Sequence, residues 1–146
     1  FLIQFSQTEN VAIEYEPDHV YKQNEYSIKL ISQDSTLIKS IKRGGALYTD
    51  FCMQCHMENG TGVAGTFPPL AKADYLEENT LESIKAVKYG LQGEIVVNGE
   101  TYNSAMPKPG LYDDEVADVM NYILNSWGNE SSEIITEVMV TEIEEE

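Results

Sequence analysis

The sequence predicts an all-α fold, and three helical patterns carry that expectation. Val116, Val119, Met120, Ile123, Leu124 and Trp127 recur at i, i+3, i+4, i+7, i+8 and i+11, one continuous apolar stripe of helical period. Ile38, Ile41, Leu47, Tyr48 and Phe51 form a second such face, which runs directly into Cys52. A third and shorter pattern shows Leu81, Ile84 and Val87 on one side, with Gly90 placed to end it.

Taken in order, residues 1–37 form an N-terminal extension that is partly strand-like. Val11, Ile13 and Tyr15 alternate with polar neighbours, as do Tyr26, Ile28 and Leu30, and Pro17-Asp18 between them reads as a turn, so an extended arm or hairpin is expected. The domain proper spans 38–128. Gly44 and Gly45 lie inside its first helix, where glycine costs about 1 kcal/mol relative to alanine. Close approach of another helix is one reason to accept that cost. Residues 57–78 read as loop through Gly60, Gly62, Gly65, Pro68 and Pro69. Asn79 and Glu82 are spaced as a capping box for the helix that follows. A hairpin is expected near 93–102, where Ile95-Val96-Val97 precedes Asn98-Gly99. Asp113 to Glu115 place negative charge at the start of the last helix, and Gly128 stands where it should stop. Residues 129–146 read as an acidic C-terminal tail, frayed or loosely helical.

The chain has 146 residues and 42% apolar content, enough for one globular core and some extra. It opens on Phe1-Leu2-Ile3 without an initiator methionine or a charged-then-apolar leader, which reads as the cut end of a longer precursor. No apolar run is long enough to span a bilayer, so no transmembrane segment is expected in this chain. The formal net charge is −16, from 25 acidic against 9 basic residues. Such a surface repels nucleic acid and anionic lipid and favours a partner with a basic docking surface. Most of these acids need do no more than keep the protein dispersed.

Two cysteines are present, three positions apart, in Cys52-Met53-Gln54-Cys55-His56. A Cys-x-x-Cys pair suits a redox disulfide, half a zinc site or haem attachment, and histidine directly after the second cysteine favours the last. One helical turn sets both thiols on one side, where they can add to the two vinyl groups of a haem. The adjacent imidazole of His56 then reaches the iron from the same face. A thioredoxin-like pair would instead follow a strand in a βαβ pattern. A zinc site would need two further ligands, and the other histidine, His19, lies far off in the arm.

A haem iron needs a sixth ligand or an open site. Met53 and Met57 adjoin the attachment point too closely to reach the opposite face. Met120 belongs to the apolar stripe and Met139 to the tail. Met106 stands in a loop stiffened by Pro107 and Pro109, well after the motif, and is the candidate axial ligand beside His56. A thioether there favours reduced iron, which suits an electron carrier. A methionine filling a gap in the loop would look the same.

These residues resemble the class I c-type cytochromes over about residues 38–128. Gly44 and Leu47-Tyr48 match that family's first helix, and Cys52 to His56 its haem motif. Gly60-Thr61-Gly62, Phe67-Pro68-Pro69-Leu70, Ala105-Met106-Pro107 and Asp118-Val119 through Tyr122-Ile123 match later landmarks. The resemblance implies a fold of roughly three to five helices around one haem c, with the hairpin as an insertion. It also implies that the Pro68 carbonyl bonds His56 Nδ1, and that the first and last helices cross where Gly44 faces Tyr122. More narrowly, Gly90-Leu91-Gln92-Gly93, Val97-Asn98-Gly99, Tyr102-Asn103, Met106-Pro107 and Asn125-Ser126-Trp127-Gly128 are similar to cytochrome domains of larger oxidoreductases. Those occur with copper nitrite reductases and with periplasmic sugar or alcohol dehydrogenases.

The implied protein is a periplasmic electron carrier with one covalent haem c, bound through Cys52, Cys55, His56, Pro68 and Met106. Its iron would be held by His56 and Met106. It would exchange single electrons with redox partner proteins and would not be an enzyme by itself, since six-coordinate iron leaves no substrate site. Two alternatives remain: a domain or subunit of a larger oxidoreductase, and a ligand-sensing haem protein from whose iron Met106 is displaced.

Overall fold

The first helix, α1, runs through residues 35–51 and ends where the backbone turns at Cys52. It opens the part of the chain, residues 35–145, that the computed structural model describes. The expected arm and His19 lie outside the described residues, as does nearly all of the 1–37 extension. Helix α2, Met53–His56, follows the turn at once. Next come α3, Asp74–Glu78, and α4, Thr80–Tyr89. Strands β1, Ile95–Val97, and β2, Glu100–Tyr102, pair as a two-stranded antiparallel hairpin. Helices α5, Asp113–Ile123, and α6, Glu137–Thr141, complete the chain. The described residues thus hold six helical segments rather than three to five. The motif turn separates from α1 at Cys52, and α3 and α6 form where loop and tail are expected.

Helices α1 and α5 cross at Gly44, as the resemblance implies. A Cβ built on Gly44 would overlap the Asp118 carbonyl oxygen and lie 2.9 Å from Tyr122 Cβ. The backbones therefore touch, and the penalty for glycine in a helix is offset by that contact. Tyr48, Tyr122 and Trp127 close the crossing as an aromatic cluster with ring centroids 5.0–5.4 Å apart. Beyond it lies the core, with Ile84, Val116, Val119 and Met120 fully buried.

Polar side chains buried at this crossing are all satisfied. Asp118 accepts from Ser40 Oγ at 2.6 Å and takes a two-pronged Arg43 at 2.5 and 2.7 Å. Asn121 Nδ2 donates to Ser40 Oγ at 2.9 Å, so α1 and α5 are joined by a connected network.

In the hairpin, Asn98 and Gly99 both adopt positive φ, 49° and 78°, as a two-residue turn of this type requires. Asn98 pairs reciprocally with Asp74: its Oδ1 accepts from Asp74 N–H at 2.9 Å, and Asp74 Oδ1 accepts from its N–H at 2.7 Å. The turn is thereby fixed to the start of α3. Ile95, Val97 and Tyr102 face inward, and Val96 faces solvent.

Four local expectations need correction. Asn79 makes no side-chain cap for α4, and its N–H, which a capping box would offer to Glu82, instead closes α3 on the Tyr75 carbonyl. The last helix stops at Ile123, short of Gly128. The side chains of Asn125 and Ser126 bond back to the carbonyls of Asn121 and Tyr122, and Trp127 turns to positive φ. Residues 74–78 are helical despite lying in a stretch read as loop. Lastly, residues 129–145 do not fray as a tail. Ile135 and Val140 are buried in the core, and α6 packs on α4 and α5. No helix among the described residues is long and apolar enough to cross a membrane.

Candidate haem-binding site

Helix α1 delivers Cys52 to the core side, where it is 8% exposed, and one turn of α2 brings His56 to the same depth. The turn is closed by His56 N–H donating to the Cys52 carbonyl at 3.0 Å. Met57 ends it at φ 65°, a left-handed conformation that a non-glycine side chain adopts only under constraint. The Tyr48 hydroxyl supplies part of that constraint by donating to the Met57 carbonyl at 2.6 Å. The two cysteines are not bonded to each other, and burial pushes the Cys52 thiol up to about 11.

His56 Nδ1 lies 2.9 Å from the Pro68 carbonyl oxygen. A carbonyl can only accept, so Nδ1 carries the proton and Nε2 carries a lone pair. Burial holds the imidazole pKa below its ordinary value, against the opposing pull of the Pro68 bond. No protein group among the described residues bonds Nε2. The loop bearing Pro68 is shaped by Gly62 at φ 60°, where a Cβ would sit 2.6 Å from the Pro68 oxygen.

Cys52, His56, Pro68 and Met106 line one cleft of about 610 Å³, part of it open to solvent. Cys55 lies one residue from His56 and is half-buried, outside the lining. Met106 is held by a reciprocal backbone bridge: it accepts from Leu91 N–H at 2.9 Å and donates to the Leu91 carbonyl at 2.8 Å. Sequence reasoning misses Leu91, and also Tyr75, Ser83 and the inward hairpin residues Ile95 and Val97, which line the same cleft. The alternation of Ile95 and Val97 is the signal that could have found the hairpin's share. Met120, assigned to the core, is fully buried and lines the cleft as well.

The residues present fit a haem. An apolar cleft suits a flat apolar macrocycle, with the Cys52 thiol, an imidazole lone pair and a thioether each on a lining residue. Among the described residues no group of three or more His, Cys, Asp or Glu is placed to hold a bare metal ion, so the zinc alternative lacks ligands. The motif also follows a helix, where a thioredoxin-like pair would follow a strand.

Comparison with known proteins decides the family, because the cytochrome c model matches residues 41–127. This chain belongs to the cytochrome c family. It is 42% identical over 91 residues to cytochrome c-552 of Thermus thermophilus, covering 59% of this chain and 69% of that protein. It is 32% identical over 105 residues to the cytochrome c subunit of a quinone alcohol dehydrogenase from Gluconacetobacter polyoxogenes, covering 68% of this chain but 22% of the subunit. With the cytochrome c subunit of a gluconate 2-dehydrogenase from Pantoea cypripedii it shares 29% over 119 residues, covering 73% of this chain and 26% of the subunit. The chain thus spans about a quarter or less of those two subunits.

As a cytochrome c, the chain carries one covalently attached haem c, for which Cys52 and Cys55 fit the attachment motif, and it transfers electrons. Bound haem supplies an iron that takes up and releases one electron. The chain's own residues orient His56, keep its Nε2 unprotonated and line the site with apolar side chains.

Proposed function

We propose that this cytochrome shuttles single electrons through an iron ligated by His56 Nε2 and Met106 Sδ, with thioether bonds from Cys52 and Cys55. The observation that carries the reading is the cleft lined by both His56 and Met106, with the Met106 backbone bridged in both directions to Leu91. Pro68 serves this site by accepting from His56 Nδ1, which raises the donor strength of the imidazole. Met120 also lines the cleft, so the experiment must separate the two thioethers. Oxidised protein should show the weak far-red band of a thioether–iron(III) pair. Met106→Leu should abolish that band, and Met120→Leu should leave it in place. The opposite pattern would overturn the assignment in favour of Met120, and rapid cyanide binding by the wild-type protein would overturn it in favour of the sensor alternative.

Attachment of haem c needs reduced cysteines and takes place outside the cytoplasm, so the compartment is the periplasm or its equivalent. Fractionation of cells that carry the haem-stained protein tests this. The charge of −16 makes a basic docking surface the natural complement on its redox partners. Electron-exchange rates with a basic partner should then fall steeply as salt is added.

Similarity to the cytochrome c subunits of alcohol and gluconate dehydrogenases favours a second reading, in which the chain serves as a domain or subunit of such an oxidoreductase. A stable complex with a dehydrogenase on size exclusion would support it. A monomer that exchanges electrons with several partners would count against it.

A further inference from the structure

We propose that Lys88 and Tyr89, the last two residues of α4, are positioning residues that tie the C-terminal segment to the Met106 loop and so hold the methionine against the iron. The inference rests on the reading of Met106 as an axial ligand.

Between β2 and α5 the chain has no regular element, and residues 103–105 are exposed. Among the described residues, the backbone–backbone hydrogen bonds made by this stretch before Tyr112, whose carbonyl begins α5, are the two that join Met106 to Leu91. The methionine is therefore only as fixed as Leu91. Gly90, just before it, has φ 86°, and a Cβ there would lie 2.8 Å from the Met106 carbonyl oxygen and 3.0 Å from Lys108 N. That fit leaves little slack between the end of α4 and the loop.

The end of α4 is in turn held from the opposite side. Lys88 Nζ donates to the Val140 carbonyl at 2.7 Å and the Ile143 carbonyl at 3.2 Å, and it lies 3.3 Å from Asp113 Oδ1. Its side chain is 13% exposed, so the ammonium is committed to these oxygens rather than to solvent. Tyr89 Oη donates to the Ile143 carbonyl at 2.9 Å, and the Lys108 ammonium stands 5.4 Å from the Tyr89 ring centroid. Thr141 Oγ1 donates to Asp113 Oδ2 at 3.0 Å, which joins α6 to the start of α5. Four successive residues, Lys88 to Leu91, therefore link a folded C-terminal segment to the methionine backbone. A lysine that only capped the last carbonyls of α6 would give the same local bonds without an effect on the iron. The two roles differ in what they predict for ligand exchange.

The test uses the full-length holoprotein in the oxidised state. Lys88→Met keeps the aliphatic stem and removes the donors, and Tyr89→Phe removes one hydroxyl. The readouts are the far-red band and the rate at which cyanide displaces the methionine. Each variant should keep the band but admit cyanide faster: about fivefold for Tyr89→Phe, the factor by which loss of one ordinary hydrogen bond shifts an opening equilibrium, and more for Lys88→Met, which loses two such bonds and an ion pair. Lys88→Arg, which retains donors, should stay near the wild-type rate. Ser40→Ala, which loosens the α1–α5 network far from the loop, should leave the exchange rate unchanged even where it lowers the unfolding midpoint as much. Unchanged exchange in both Lys88→Met and Tyr89→Phe, or an equal rise in Ser40→Ala, would overturn the inference while the ligand assignment stands. A wild-type protein without the far-red band would overturn the assignment, and this inference with it.

Discussion

Asn121 holds Ile135 by both ends of its amide. Its Nδ2 donates to the Ile135 carbonyl at 2.8 Å, and its Oδ1 accepts from the Ile135 N–H at the same distance. The pair is buried, with Asn121 1% and Ile135 2% exposed, so water cannot replace either bond. A side chain that mimics a strand partner in this way pins residues 129–145 to α5. Asn121→Leu should therefore leave two buried backbone groups unsatisfied and cost about 2–4 kcal/mol, read as a lower denaturant midpoint. A loss below half a kcal/mol would mean that the segment is held by apolar burial of Ile135 and Val140 alone.

Gly44 and Gly45 are neighbours in sequence with opposite requirements. A methyl at Gly44 meets the Asp118 carbonyl, which belongs to backbone and cannot move aside. A methyl at Gly45 comes 3.2 Å from the edge of the Tyr122 ring, which can shift. Gly44→Ala should cost about 3 kcal/mol or more by forcing α1 and α5 apart. Gly45→Ala should stay within about 1 kcal/mol, since the gain in helix propensity offsets a tight contact. Comparable losses in both would show that the crossing can slide.

What could be read in the sequence was what is local. The stripe on α5 as far as Ile123 and the Asn98-Gly99 turn each lie within one element and fold where the pattern puts them, whereas α1 forms but leaves Ile38 and Phe51 of its expected face exposed. Cys52, Cys55, His56 and Met106 are singled out by residue type and order and Pro68 by the family resemblance, and all but Cys55 line one cleft. The bond between Asn121 and Ile135 had no such signature, because an asparagine on a helix and an isoleucine in an acidic stretch show no periodicity together. The acidic composition of 129–146 pointed to solvent, yet two apolar side chains within it were enough to reach the core. Helix α3 is five residues long, too short for an apolar period. The role of Leu91 depends on the path of the 103–112 loop, which no local pattern specifies.

The contact between His56 and Pro68 is made by a main-chain oxygen, and that separates two substitutions that look alike on paper. Pro68→Ala keeps the carbonyl and should change the reduction potential little. Gly62→Ala puts a methyl 2.6 Å from that oxygen at a backbone φ of 60°, so the loop must move. A weakened Nδ1 bond makes the imidazole a poorer donor to oxidised iron, so the potential should rise by a few tens of mV, where about 59 mV is tenfold in the one-electron equilibrium. Voltammetry on the two holoproteins would show it. An equal shift from both would place the effect on loop stiffness rather than on the hydrogen bond.

Tyr48 gives the fold a limit on the alkaline side. Its hydroxyl is buried and donates to the Met57 carbonyl, and burial raises its pKa above the ordinary tyrosine value, with Cys52 and Tyr122 adding to the shift. In the unfolded chain the phenol loses its proton near pH 10, while the folded chain still holds it. The stabilisation is thus fully present below about pH 10 and is lost as pH rises toward the folded value. Tyr48→Phe should cost about 1 kcal/mol at neutral pH, through the lost bond to Met57. Above pH 10 its unfolding midpoint should fall less steeply than that of the wild type. If the two proteins lose stability in parallel on the alkaline side, the limit is set by another group, and Tyr48 does no more than close the turn that carries His56.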